Sequence, residues 1–140
     1  PFLPPSRLRS RTLPMTIGMS VRSDSVKKIY VCSRLKGDTE TNIKKANDYA
    51  RFVAKDCGAI PIAPHIYFTQ FLDDTVPAER TFGTMAGLIL LSDCDELWYF
   101  GDSVSQGMVR EIIAAKEQNI PVRYISDKEI EKIKNENGGI

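Results

Sequence analysis

From residue 27 onward, short apolar runs alternate with amphipathic stretches. Residues 28–33 (KIYVCS) form a compact run of β-branched and aromatic side chains, the composition of a buried strand, closed by the polar turn Arg34-Leu35-Lys36-Gly37-Asp38. In residues 39–57, Ile43, Ala46, Ala50, Val53 and Cys57 recur at three- and four-residue spacing. That period predicts an amphipathic helix, with Gly58 as its left-handed stop. Residues 60–63 give a second short strand, Pro64-His65 opens a long loop, and residues 67–72 fit a single helical turn. Pro77 starts a helix over 77–92 whose inward face reads as Phe82, Met85, Ala86, Ile89 and Leu90. A third strand, ELWYF at 96–100, is broken by Gly101. A helix over 104–118, a fourth strand at 122–125 and a charged helix from Asp127 to about Asn135 complete the chain.

Strands that alternate with helices select an α/β fold, a parallel sheet covered by helices on both faces. Right-handed crossovers make it doubly wound and flavodoxin- or Rossmann-like, with four to five strands in the order 2-1-3-4. A ligand of such a sheet sits beyond the carboxyl ends of its strands, where the order reverses between strands 1 and 3. The loops that matter are therefore 33–39, 64–76 and 101–107.

Composition narrows the reading further. The chain has 140 residues, 42% hydrophobic and 26% charged, which is ordinary for one globular domain. Residues 1–26 are rich in Pro, Arg and Ser, show no sustained period and carry a charge of +3, so they read as a disordered or extended tail ahead of a domain at 27–140. The net charge of +1 leaves that domain at −2, without the basic face that duplex nucleic acid requires. No apolar run is long enough to span a bilayer. Cys32, Cys57 and Cys94 are widely spaced, odd in number and set among apolar residues, which fits reduced thiols in a cytoplasmic protein and neither disulfides nor a metal site. The single His65 has no metal-ligand spacing around it, and neither metal nor cofactor is expected.

Three constellations fall in the switch-point loops. In residues 101–111, Ser103 and Gln106 have the spacing of a capping box, with Ser103 as N-cap and Ser105 in a first turn suited to an anion. Gly107 and Glu111 lie one helical turn apart on one face, so a residue without a side chain leaves room for a flat ligand against a carboxylate. Met108 sits between them, and Asp102 opens the same loop. After strand 1, Ser33, Arg34, Lys36 and Gly37 suit a phosphate or carboxylate. The loop from Pro64 to Asp74 offers His65 and Phe68 for stacking on a nucleobase, with Asp73 or Asp74 to contact ribose or move a proton. Tyr30 belongs to a buried strand and needs a partner for its hydroxyl, which Glu111 could supply. Arg80 could reach the same mouth.

These motifs resemble the nucleoside 2-deoxyribosyltransferase-like superfamily, in an uncharacterised branch related to deoxynucleotide N-glycosidases. The resemblance spans residues 28–126. It rests on KIYVCS with Lys36-Gly37, IPIAPH at 60–65, CDELW at 94–98, and above all Ser105-x-Gly107-x-x-x-Glu111. It implies Glu111 as nucleophile, Tyr30 bonded to that carboxylate, Ser105 at a phosphate, a nucleoside or nucleotide as ligand, and a homodimer or larger homo-oligomer. The implied activity is transfer or hydrolysis at an N-glycosidic bond. The alternatives are a non-catalytic binder of a nucleotide or nucleotide signal and, more remotely, an oligomerising scaffold. One departure stands out: characterised enzymes carry an Asp in the helix before strand 3, and residues 84–87 here (TMAG) have none. Asp73, Asp74 or Asp102 would have to replace it.

Overall fold

The computed structural model describes residues 26–138. Four parallel strands, β1 (Lys28–Cys32), β2 (Ile60–Ile62), β3 (Glu96–Phe100) and β4 (Val122–Ile125), form one sheet in the order β2-β1-β3-β4. The expected switch point between β1 and β3 is therefore present, with four strands and no fifth among the described residues. Tyr30 pairs with Ile62 on one side and Leu97 on the other, which fixes the register of the strand ends that face the switch point.

Alternation along the strands sends side chains into two separate cores. Ile29, Val31, Trp98 and Phe100 pack with Phe52, Val53, Ile130 and Ile133 on one face. Tyr30, Cys32 and Leu97 pack with Leu91, Met108 and Ala115 on the other. The first layer is built by α1 (Thr39–Arg51), its π-helical continuation Phe52–Asp56, and α5 (Asp127–Gly138). The second is built by α3 (Pro77–Ser92) and α4 (Gln106–Glu117), and the short α2 (Pro64–Phe68) sits beyond β2.

Several boundaries differ from the sequence expectation for local reasons. The helix expected over 39–57 keeps α geometry only to Arg51, after which the Cys57 N–H reaches back five residues to the Phe52 carbonyl. The helical turn in the 64–76 loop begins at Pro64 rather than Tyr67, because proline is preorganised for a first helical position. The last helix continues to Gly138, past Asn135. Residues 1–25 of the tail expected over 1–26 lie outside the described residues, and Val26, its last residue, is buried.

The orientation of α3 is the main correction. Phe82, Met85, Ile89 and Leu90, read as its inward face, are exposed, while Gly87 and Leu91 are buried. Spacing located the apolar stripe but not the side that meets the sheet. The inward stripe is small: a Cβ on Gly87 would stand 3.3 Å from the Tyr30 hydroxyl, so glycine lets α3 approach β1 closely. Gly87→Ala is expected to keep the fold yet push the Tyr30 hydroxyl aside by a few tenths of an ångström. Circular dichroism alongside a crystal structure of the variant checks both halves.

Candidate active site

A cleft of about 330 Å³ opens at the carboxyl ends of β1 and β3, between α2, α3 and α4. Small-molecule sites typically run from roughly 300 to 1,000 Å³. At its floor, the Tyr30 hydroxyl donates to Glu111 Oε2 at 2.6 Å. β1 delivers Tyr30 from the sheet, and the second turn of α4 delivers Glu111. The Cys32 thiol donates to the Met108 carbonyl at 3.8 Å, on the same side of the sheet as Tyr30.

The electrostatics follow from this enclosure. Burial pushes the Glu111 carboxyl above the ordinary carboxylate range, against the opposing pull of His65, Tyr30, Cys32 and Arg110. Burial, then the Glu111 charge and the bond to it, hold the Tyr30 phenol well above its usual value, so it stays protonated as a donor. Burial and Glu111 likewise push up the Cys32 thiol. For a reaction needing ionised Glu111, activity rises with pH through that elevated value. Tyr30→Phe removes a donor that favours the carboxylate, so the acid limb of a pH–activity profile is expected to move to higher pH. An unmoved limb would separate Tyr30 from Glu111 ionisation.

Ser105, not Ser103, is the N-cap of α4: its hydroxyl accepts from the Met108 N–H at 3.2 Å. Ser103 instead accepts from the Arg34 guanidinium at 2.8 Å, tying the loop after β1 to the loop after β3. The N–H groups of Gln106 and Gly107 have no intrahelical acceptor and line the cleft. Ser33 is only 4% exposed, lines the same cleft, and its hydroxyl has no hydrogen-bond partner. The Ser33 carbonyl meets His65 Nε2 at 3.0 Å.

The other expected residues divide clearly. Arg34, Lys36, His65 and Phe68 line the cleft, as do Gly107 and Met108. Gly37, Asp73 and Asp102 do not. Gly37 serves the turn, with φ +106°, a conformation that suits glycine. The Asp73 carboxylate accepts from the Thr75 N–H and hydroxyl, bonds that pull its proton affinity down and close its own turn. Asp102 is exposed, and its charge falls on Tyr49, which stacks on Phe100 in the opposite layer. Neither Asp73 nor Asp102 thus lines the cleft where residues 84–87 carry no carboxylate. Asp74 and Arg80 do line the cleft. Sequence reasoning missed Glu79, Gly83 and Gly87. The available signal was Arg80, Gly83 and Gly87 at helical spacing, a stripe with nothing bulky in it.

Among the described residues, no group of three or more His, Cys, Asp and Glu side chains is placed to hold a metal ion. No described helix is long and apolar enough to cross a membrane.

A parallel sheet ordered β2-β1-β3-β4, covered by helices on both faces and with its cleft at the switch point, is a doubly wound α/β fold. The solved structure of the 2-deoxyribosyltransferase from the psychrotolerant bacterium Bacillus psychrosaccharolyticus matches with a TM-score of 0.55 and 20% identity, over 71% of this chain and 72% of that one. By sequence, the chain belongs to the family described as Domain of unknown function (DUF7768), whose model matches residues 27–125. No curated protein matches the sequence significantly.

Proposed function

We propose that the protein acts on the N-glycosidic bond of a deoxynucleoside or deoxynucleotide, as transferase or hydrolase, with Glu111 as nucleophile. The observation that carries this reading is the Tyr30–Glu111 pair on the floor of a nucleoside-sized cleft at the switch point. Glu111 attacks the anomeric carbon while the carbon–nitrogen bond breaks and its electron pair leaves with the base. A glycosyl–enzyme ester results. Water or a second base then attacks the same carbon and restores the carboxylate. Tyr30 orients Glu111, and Phe68 offers a ring to the base. The deoxyribosyltransferase likeness supports the reaction class, and the three buried free thiols support a reducing, cytoplasmic setting.

A nucleotide fits better than a nucleoside. Arg34 and Lys36, Gln106 and Gly107 at the open start of α4, and Ser33 with its unpartnered hydroxyl all line the cleft. Ser33→Ala is expected to weaken a deoxynucleotide about three- to tenfold, as loss of one hydrogen bond does, and to leave the matching nucleoside unchanged. Because the hydroxyl has no partner in the free protein, the melting temperature should not fall. Titration of both ligands, with melting curves, checks this.

The decisive experiment incubates the protein with a panel of deoxynucleosides and deoxynucleotides and chromatographs for free base. Release that is lost in Glu111→Gln supports the enzyme. One observation favours a second reading: residues 84–87 carry no carboxylate and Gly87 stands against Tyr30, so the cleft would serve a nucleotide-binding protein equally well. Saturable binding without release, surviving in Glu111→Gln, selects the binder.

Self-association belongs to the same reading. Tyr67, Phe82, Met85 and Ile89 are exposed around an apolar groove of about 650 Å³, and Pro64 and Phe68 line both groove and cleft. A second copy on this face would cover the patch and brace the cleft wall. Ile89→Lys should shift sedimentation toward monomer.

A further inference from the structure

The glycosidic reading leaves one step without an owner. A base that departs with the bonding electron pair needs a proton, and residues 84–87 of α3, the stretch nearest Tyr30, offer no carboxyl group for it. The Tyr30 proton is committed to Glu111. Glu79 lines the cleft but is engaged as a turn cap, its Oε1 accepting from the Asp73 N–H at 3.0 Å. Asp74 is exposed at the rim.

His65 differs from these in both geometry and chemistry. It stands in the first turn of α2 on the cleft wall, with Nε2 3.0 Å from the Ser33 carbonyl. A carbonyl only accepts, so Nε2 carries a hydrogen and Nδ1 is the nitrogen that gains and loses a proton. The same bond holds the ring just past the end of β1, three residues beyond Tyr30. Its charge reaches Glu111: of the groups that favour the ionised carboxylate, His65 has the largest influence. An imidazole ring can also hold a proton on each nitrogen, so one can be passed on while the other stays in its hydrogen bond.

We infer that His65 is the general acid of this site, giving its Nδ1 proton to the departing base as Glu111 closes on the anomeric carbon. This rests on the glycosidic reading above. In the first half, the Glu111 carbon–oxygen bond forms, the carbon–nitrogen bond breaks, its electron pair goes to the base nitrogen, and the Nδ1 proton joins it. In the second half, neutral His65 takes the proton of the attacking water or acceptor base, and the ester bond to Glu111 breaks with its electrons returning to the carboxylate. Both proton and charge are restored at the end of the cycle.

The test compares leaving groups. One substrate is whichever deoxynucleoside or deoxynucleotide of the panel releases base. The other is p-nitrophenyl 2-deoxyriboside, whose phenolate leaves without protonation. His65→Gln keeps an amide donor for the Ser33 carbonyl but cannot act as an acid, and His65→Asn serves as a second variant should the first fail to fold. Base release is expected to fall about 10²- to 10⁴-fold in the folded variant, the usual contribution of a general acid, while nitrophenolate release is largely retained. Equal slowing of both substrates in a variant with an unchanged melting curve, or no slowing of either, overturns the assignment of His65 alone. Wild-type protein that cleaves neither substrate overturns the glycosidic reading, and this assignment with it.

Discussion

Glu111→Gln is expected to abolish base release, lowering turnover by about 10³-fold or more while ligand binding survives. The amide cannot form the glycosyl ester, yet it matches the carboxylate in shape and can still accept from the Tyr30 hydroxyl. The same substitution should raise stability at neutral pH. Burial pushes the Glu111 carboxyl up in the folded protein, so its stabilising contribution is complete below the ordinary carboxylate value near about 4.3 and is lost as pH rises through the elevated one. At pH 7 the wild-type protein holds an ionised group that its surroundings disfavour, and glutamine removes that cost. Melting curves should place the variant above wild type at pH 7, with the gap closing toward pH 4. A site that trades stability for reactivity behaves this way. A variant less stable than wild type at pH 7 would mean that Glu111 mainly supports the fold. Retained turnover would move the nucleophile elsewhere.

The parts of this site that were legible in the sequence are those for which local spacing decides geometry. Strands that alternate with helices select a parallel sheet with right-handed crossovers, and the observed order β2-β1-β3-β4 is one of the doubly wound orders such a sheet takes. Gly107 and Glu111, four residues apart, necessarily share a helix face, and Tyr30, even-numbered on a strand whose odd positions fill the other core, necessarily faces the same layer. The misreadings all involve contacts between distant residues or the choice among near-equivalent ones. Ser103 and Ser105 both satisfy a capping pattern. The long-range Arg34 bond to Ser103 belongs to the tertiary structure, where Ser105 takes the cap. Asp73 and Asp74 are neighbours with the same chemistry, and a local turn through Thr75 occupies the first and leaves the second at the cleft. The stripe of α3 was inverted because hydrophobicity alone favours Phe82 and Ile89 inside. The tight approach to Tyr30 instead demands Gly87 there, and the large side chains are left outside.

Removing Trp98 is expected to be the most damaging single change to the fold. The indole is fully buried at the centre of β3, and its Nε1–H donates to Glu96 Oε1 at 2.9 Å. Glu96 itself is only 2% exposed, with Lys27 Nζ 3.7 Å from its other oxygen. Trp98→Ala opens a cavity that costs about 3–5 kcal/mol, and it also strips the buried carboxylate of a donor, a further cost of about 1–3 kcal/mol. Against a domain stability of roughly 5–15 kcal/mol, that leaves little or no folded protein at 37 °C. Trp98→Phe separates the two contributions, since it fills most of the space and removes only the N–H. Burial already raises the Glu96 proton affinity, against the pull of Trp98, Lys27 and Arg123, and losing the indole donor raises it further. The stability of Trp98→Phe relative to wild type should therefore be poorest near neutral pH, where Glu96 is asked to be ionised, and should recover as pH falls toward about 4, where the carboxyl is neutral. Urea denaturation across that range reads the difference. The link to the site is direct, because β3 runs from Glu96 through Trp98 into the loop that ends at Ser105 and sets the start of α4. Folded Trp98→Phe should keep base release. If it folds well but loses turnover, the buried indole helps set the position of Glu111 through α4.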